Sequence, residues 1–153
     1  MIHPAHRWRG DFTRIVQAMA ENSFIAPDGV TIIPETYDIG RSASLIPVVP
    51  GQADPVYIVH ENIKTTVRFN VNADGSLGNL TEMYPFGQYS NVVDKNGNLY
   101  IADGEIFVYN RSGALINRIR MEERPLSMVI GGKDFDTLFV TTTKSLYSIR
   151  IIE

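Results

Sequence analysis

The stretch NVVDKNGNLYIADGEIFVYNRSGALI, residues 91–116, holds three short apolar runs separated by polar breaks. Two of the breaks, Lys95–Asn98 and Asn110–Gly113, contain Asn-Gly and Ser-Gly pairs. Such pairs supply the positive φ that tight hairpin turns need. A third break, Asp103–Glu105, is also turn-like. Short strands joined by tight turns predict an antiparallel β meander in which these turn residues have an architectural role.

The same pattern occurs in two neighbouring units, which begin at Val48 and Val129. Each unit has a Val-Val or Val-Ile pair, a Gly-bearing turn, an apolar strand and an alternating strand. The apolar strand carries an aromatic residue at Tyr57, Tyr100 and Phe139, a period of about 40 residues. This period is typical of β-propeller blades. An all-β sandwich with regularly spaced hairpins is the alternative, but the three units match in order as well as in spacing, which favours the propeller.

Alternation and turn chemistry predict an all-β chain without a helix. The predicted strands are 12–18, 29–33, 45–49, 56–60, 65–71, 80–84, 89–93, 98–102, 105–110, 114–120, 126–131, 137–142 and 145–151. At four strands per blade they form about three blades, whereas closed propellers have four to eight. We therefore predict a single partial β-propeller domain over residues 1–153, with an irregular lead-in at 1–23 and blades at about 24–71, 72–110 and 111–153.

The composition excludes several classes of function. The net charge is −3 without a basic run, so we expect no nucleic-acid partner. No apolar stretch approaches the ~20 residues of a membrane helix, so we expect no membrane partner. There is no cysteine, which rules out disulfides and thiol chemistry. We expect a soluble protein and slightly favour the cytoplasm, with the periplasm as the alternative if the chain is a piece of an exported protein.

A family resemblance rests on two segments. Residues 91–151, from NVVDKNGNLY to SLYSIRI, resemble the C-terminal end of the gluconolactonase/regucalcin (senescence marker protein) family. YIVHENIKTTVRFNVNADGSLGNL, residues 57–80, resembles the middle blade of that family. The resemblance implies a six-bladed propeller of about twice this length, of which this chain supplies the last three blades. It also implies hydrolysis of sugar lactones or related esters, with one divalent metal in the central channel.

The resemblance further implies which residues hold that metal: a Glu from the first blade, an Asn and an Asp. The blade with the Glu has no counterpart here. The Asn register falls on Ser44-Leu45-Ile46, and the Asp register falls on Tyr89-Ser90. Calcium, zinc, manganese or magnesium suits the oxygen ligands of the family. For this chain alone, however, we predict no cofactor and no complete metal site.

One literal Pro-Asp-Gly phrase is present at Pro27–Gly29, which makes Asp28 a candidate metal ligand. A turn is the alternative and the favoured interpretation, because this tripeptide suits type I and type II turns.

The loops before the predicted inner strands supply the candidate channel-lining residues Tyr89, Ser90 and Arg124. Arg124 can bind an anionic ligand, while a surface ion pair with a neighbouring Glu is the alternative. The sequence does not identify catalytic residues.

Two functions follow. The chain is either part of a lactonase-type hydrolase, inactive in isolation, with a small sugar lactone as ligand, or a non-catalytic propeller segment that binds a ligand or a protein. An open arc leaves apolar blade faces uncovered. We therefore expect either a missing N-terminal half-propeller or a homo-oligomer.

Overall fold

The computed structural model describes residues 22–25, 30, 32–36, 42–45, 55–73 and 77–151. Apart from one 3-10 turn at Glu61–Ile63, these residues form strands, turns and loops. The strands are β1 (Asn22–Ile25), β2 (Ile32–Thr36), β3 (Ser42–Leu45), β4 (Val56–His60), β5 (Thr65–Val71), β6 (Leu77–Tyr84), β7 (Asn91–Val93), β8 (Leu99–Asp103), β9 (Glu105–Tyr109), β10 (Leu115–Ile119), β11 (Ser127–Gly131), β12 (Thr137–Thr141) and β13 (Leu146–Arg150).

The strands form antiparallel meanders in chain order. Strands β3 to β6 make sheet A, β7 to β10 make sheet B, and β11 to β13 make sheet C, while β1 and β2 pair separately. The innermost strands of sheets B and C, β7 and β11, lie side by side. The fold is therefore all-β and partial-propeller-like, as the sequence predicts. Within the described residues, no helix is long and apolar enough to span a membrane.

The predicted strands agree closely with the structure from Val56 onward, and the strands at 56–60 and 65–71 coincide with β4 and β5. Before Val56 the prediction is less accurate. Strand β1 was not predicted, and β2 and β3 are shifted from the predicted 29–33 and 45–49. Pro34 lies within β2, which an edge strand of a two-stranded sheet tolerates. The predicted strand at 12–18 lies outside the described residues.

The hydrogen-bonded sheets are offset from the sequence repeats. Strand β6 pairs with β5 and strand β10 pairs with β9. Sheets A, B and C therefore run over residues 42–84, 91–119 and 127–150, whereas the repeat units were placed at 24–71, 72–110 and 111–153. The pattern of repeats shows the period, but the start of each sheet depends on which strand pairs with which neighbour.

Sheet B is buried on both faces. The side chains of Leu99 and Ile101 pack toward sheet A, against Tyr57. Those of Tyr100 and Ala102 pack toward sheet C. Burial on both faces explains why β8 is a continuous apolar run and not an alternating one.

The recurring aromatic residue has the same position in each sheet. Tyr57 faces sheet B and Tyr100 faces sheet C, and each is 5% exposed. Phe139 is the equivalent residue of sheet C and is only partly buried. No described sheet follows sheet C, so the face that carries Phe139 lacks the cover that Tyr57 and Tyr100 have.

The turn between β7 and β8 is built around a buried carboxylate. Asp94 Oδ1 accepts the backbone N–H groups of Asn96 at 2.9 Å and Asn98 at 2.8 Å. Asp94 Oδ2 accepts the Asn98 amide at 2.8 Å and the Tyr100 hydroxyl at 3.2 Å. Gly97 provides the positive φ of 82° that closes the turn. The turn therefore has a structural role.

Replacing this carboxylate tests that role. Asp94→Ala removes the acceptor of four hydrogen bonds and leaves the buried Tyr100 hydroxyl unpaired, so the free energy of unfolding should fall by about 2–4 kcal/mol. Asp134→Ala, in an exposed turn, is the control and should change stability by less than about 0.5 kcal/mol. Urea unfolding measures both values, and equal losses would contradict the structural role of Asp94.

Candidate functional site

The strand register brings several loops to one end of the propeller. Asn91 pairs with Ile101, so the loop before β7 lies beside the β8–β9 turn. Ser127 pairs with Thr141, so the loop before β11 lies beside the β12–β13 turn. His60, at the end of β4, pairs with the start of β3 at this same end of sheet A. We call this end, formed by residues 60–64, 85–90, 103–104, 120–126 and 142–145, the mouth.

Tyr89 and Arg124 meet at the mouth. The guanidinium carbon of Arg124 lies 4.7 Å from the centroid of the Tyr89 ring, which is a cation–π contact. Arg124 remains exposed. The ion pair with a neighbouring Glu, considered from the sequence, is not formed within the described part of the chain, where the adjacent Glu123 binds two hydroxyl groups instead.

Ser90 is buried and joins sheets B and C. Its side-chain oxygen accepts the backbone N–H of Met128 at 3.2 Å. Its carbonyl oxygen accepts the N–H of Ala102 at 2.9 Å. Ser90 therefore fixes the start of β7 against both β8 and β11, and so holds the neighbouring Tyr89 in place.

The loop before β7 is fixed by Gly87. Its φ is +146°, and its N–H donates to Asp103 Oδ2 at 3.2 Å. A Cβ added at Gly87 would lie 2.6 Å from Thr66 Oγ1, which donates to the Phe86 carbonyl at 2.8 Å. The Phe86 ring stacks on Phe107 with centroids 3.7 Å apart. Sequence reasoning missed this support, for which the only sequence signal is the Phe-Gly pair before Tyr89.

Glu123 fixes the loop before β11. Its carboxylate accepts the hydroxyl groups of Thr142 at 2.6 Å and Ser145 at 2.7 Å. These two hydrogen bonds, first that from Thr142, lower the pKa of Glu123 below its ordinary value. Pro125 is fully buried on the other side of Arg124. The exposed guanidinium of Arg124 thus extends from a backbone that is anchored on both sides, a feature that the sequence did not reveal.

Two polar atoms of residues at the mouth are buried without a hydrogen-bond partner in the described part of the chain. They are the side-chain oxygen of Gln88 and Nδ1 of His60. Gln88 directly precedes Tyr89, so an unused acceptor lies close in sequence to the exposed cation–π pair.

The described residues do not form a divalent metal site. No group of three or more His, Asp or Glu residues among them is arranged to hold a metal ion. Ser44 and Leu45 are in β3, whereas Ile46 and Asp28 lie outside the described residues. The carboxylate of Asp103 accepts a backbone N–H, and that of Glu123 accepts two hydroxyl groups.

Comparisons with known proteins identify the class of this fold and site. The model of the SMP-30/gluconolactonase/LRE-like region matches residues 52–144. Because this match covers more than half of the chain, the protein belongs to that family, as the sequence resemblance indicated. A search of curated protein sequences gave no match.

Three solved structures illustrate the likeness. A gluconolactonase from Xanthomonas campestris is 19% identical with a TM-score of 0.72, covering 88% of this chain and 46% of its own. The calcium-binding protein regucalcin from Agrobacterium tumefaciens is 17% identical with a TM-score of 0.62, covering 81% and 44%. A luciferin-regenerating enzyme is 16% identical with a TM-score of 0.63, covering 78% and 43%. At these identities the likeness establishes the fold, and this chain spans less than half of each structure.

A glycine substitution tests how the mouth is held. Gly87→Ala should destabilise the protein by about 2–4 kcal/mol, because a positive φ and a backbone contact both oppose the new methyl group. Gly104→Ala is the matched control: its φ is +75°, but nothing lies within 4 Å of the added Cβ. It should cost only about 1 kcal/mol. Thermal unfolding distinguishes the two variants, and similar losses would show that packing at Gly87 is unimportant.

Titration tests the metal prediction. Since Tyr89 and Ser90 stand where the resemblance implies a carboxylate, calorimetry with calcium, zinc and manganese should show no binding tighter than ~100 µM. A tight one-to-one isotherm would contradict this prediction, and Asp28→Asn would then be the first variant to examine.

Proposed function

We propose that this chain forms the C-terminal part of a metal-dependent hydrolase of sugar lactones or related esters, and that the chain alone is inactive. Family membership and the position of the mouth support the proposal. The observation that carries it is the contact between Tyr89 and Arg124. Because the described residues offer no metal site, the proposal assigns the metal ligands to residues outside the described part.

The chemistry of lactone hydrolysis gives Arg124 a role. Water adds to the carbonyl carbon, the ring C–O bond breaks, and the product carries a carboxylate. Negative charge therefore develops on the carbonyl oxygen and remains in the product. A guanidinium presents several N–H donors in the plane that suits a carboxylate. We infer that Arg124 binds the carbonyl end of the substrate and the carboxylate of the product, with its plane held against Tyr89.

A second function is favoured by a different feature of the mouth. Gln88 offers a buried oxygen without a partner in the described chain, and Arg124 offers an exposed cation. A hydroxyl group and a carboxylate satisfy these two groups without any catalytic residue. The chain then acts as a non-catalytic module that binds sugar acids. Turnover separates the two functions, because only the hydrolase converts lactone once the ring is complete.

Gluconate is a direct probe of Arg124. Arg124→Gln should weaken gluconate binding to the chain, measured by NMR titration, about tenfold or more through loss of the charged hydrogen bonds. Arg124→Lys should recover only part of this affinity, since an ammonium group lacks the planar donor pair. Neither protein should hydrolyse gluconolactone above the uncatalysed rate.

Arg120→Gln is the control for this experiment, because Arg120 is exposed at the start of the same loop and has no described contact with Tyr89. Equal losses for Arg120→Gln and Arg124→Gln would reduce the effect to net charge and contradict the assignment. Gluconolactone turnover by the isolated chain would contradict its proposed inactivity.

We also propose that the chain functions with a complementary propeller half. The face of sheet C that carries Phe139 also carries Val129, which is 58% exposed, and Leu146, which is 68% exposed. The equivalent faces of sheets A and B are covered by the next sheet of this chain. The complementary half would supply the sheet that covers this face, and a homo-oligomer is the alternative.

The isolated chain should self-associate, since leaving such a face in water costs roughly 1.5–3 kcal/mol for each large apolar side chain. Light scattering at micromolar concentration should show species larger than a monomer. The double variant Val129→Lys, Leu146→Lys should be monomeric, whereas Met83→Lys, at another exposed apolar position, should behave like the wild type. A well-folded wild-type monomer would contradict the proposal.

A further inference from the structure

Sheet C has one strand fewer than its neighbours. Sheets A and B each contain four strands, whereas sheet C contains β11, β12 and β13. Along one side, β13 pairs with β12 from Leu146 to Arg150, and the N–H of Ile151 continues this pairing to the Asp136 carbonyl at 2.7 Å. No strand in the described residues pairs with its other side. The backbone groups of an open edge are a template for another strand.

A groove lies next to this open edge. It has a volume of about 610 Å³ and is open to solvent between the outer strands of sheets B and C. Ile116 and Ile119 of β10 line one wall, and Ile149 and Ile151 line the other. Ile116 is 53% exposed. Apolar walls beside an open edge are what the inward side chains of an added strand would cover.

The corresponding place between sheets A and B is filled. There the fourth strand of each sheet is present, and its side chains close the outer part of the interface. Tyr84 of β6 packs edge-on against Tyr109 at 4.9 Å between ring centroids. Arg118 of β10 covers Phe107, with its guanidinium carbon 4.8 Å from the ring centroid. The groove between sheets B and C thus marks the position where a fourth strand of sheet C would lie.

We propose that β13 accepts a fourth strand donated by the complementary propeller half, so that the groove is filled and sheet C is completed. This inference rests on the proposed assembly and names its point of attachment. The occupant is an extended segment of about five residues, antiparallel to β13, with apolar side chains alternating toward Ile116 and Ile149. The related solved structures extend well beyond the part that this chain matches, 46% for the gluconolactonase, which leaves chain to supply such a strand.

The chain contains a suitable surrogate donor, since β10 is the fourth strand of sheet B. The sequence of Ala114–Met121 is appended after Glu153 through a flexible Gly/Ser linker, which raises its effective concentration to the millimolar range. Deuterium uptake at residues 146–150 should slow about tenfold or more relative to the unextended chain. The melting temperature should rise by at least ~3 °C. Uptake at β4 should not change.

Matched variants separate strand donation from general stabilisation. Asn117→Pro in the appended copy removes a backbone donor and should abolish the protection of β13. Ile116→Asp in the chain itself places a charge in the groove and should weaken the protection about tenfold or more. Leu115→Asp is the control, because Leu115 is exposed on the same strand but does not line the groove.

Several outcomes would overturn the proposal. Unchanged uptake at residues 146–150 in the extended chain would show that the edge does not accept a strand, even if light scattering confirms self-association. Protection of β13 in the unextended monomer would mean that a segment of this chain already occupies the edge. Protection that appears only with dimerisation would identify a second copy as the occupant.

Discussion

Burial of sheet B on both faces is the constraint on which the other features of the structure depend. A meander of this size cannot cover its own two apolar faces, so each sheet requires a neighbour on either side. Along β8, Leu99 and Ile101 satisfy one face and Tyr100 and Ala102 the other. Each large side chain buried in this way contributes roughly 1.5–3 kcal/mol. Sheet-on-sheet packing in series is therefore the main source of stability.

The same constraint explains why the ends of the series differ from its middle. Sheet C receives sheet B on one face, while Phe139, Val129 and Leu146 remain on the other. Its outer edge also lacks the strand that closes the interface between sheets A and B. Both features arise from the same cause, namely that the repeat is interrupted where the next unit would add its cover.

The two ends of the sheets use charged groups in different ways. At the end opposite the mouth, the Asp94 carboxylate is saturated with hydrogen bonds from its own turn, so it is committed to structure. At the mouth, Glu123 and Ser90 hold the loops in place, and Arg124 extends into solvent with only the Tyr89 ring against it. A cation that is anchored but not neutralised is suited to an anion from outside the chain. Binding residues on loops positioned by a rigid scaffold are the usual arrangement.

The sequence alone determined the strands, turns and period between Val56 and Ile151. These features depend on local chemistry: alternation sets the strands, and Asn-Gly and Ser-Gly pairs set the turns. Local patterns also placed Tyr89 and Arg124 before inner strands. Strand 12–18 and Asp28 lie outside the described residues and remain predictions.

Only the tertiary structure decided the contacts between distant segments. The sheet boundaries depend on the pairing of β6 and β10 with the preceding strands. The contact of Arg124 with Tyr89, the hydrogen bond from Met128 to Ser90 and the anchoring of Glu123 all join residues far apart in sequence. No local pattern encodes such contacts, because they exist only after one sheet has packed on the next and brought the ends of their strands together.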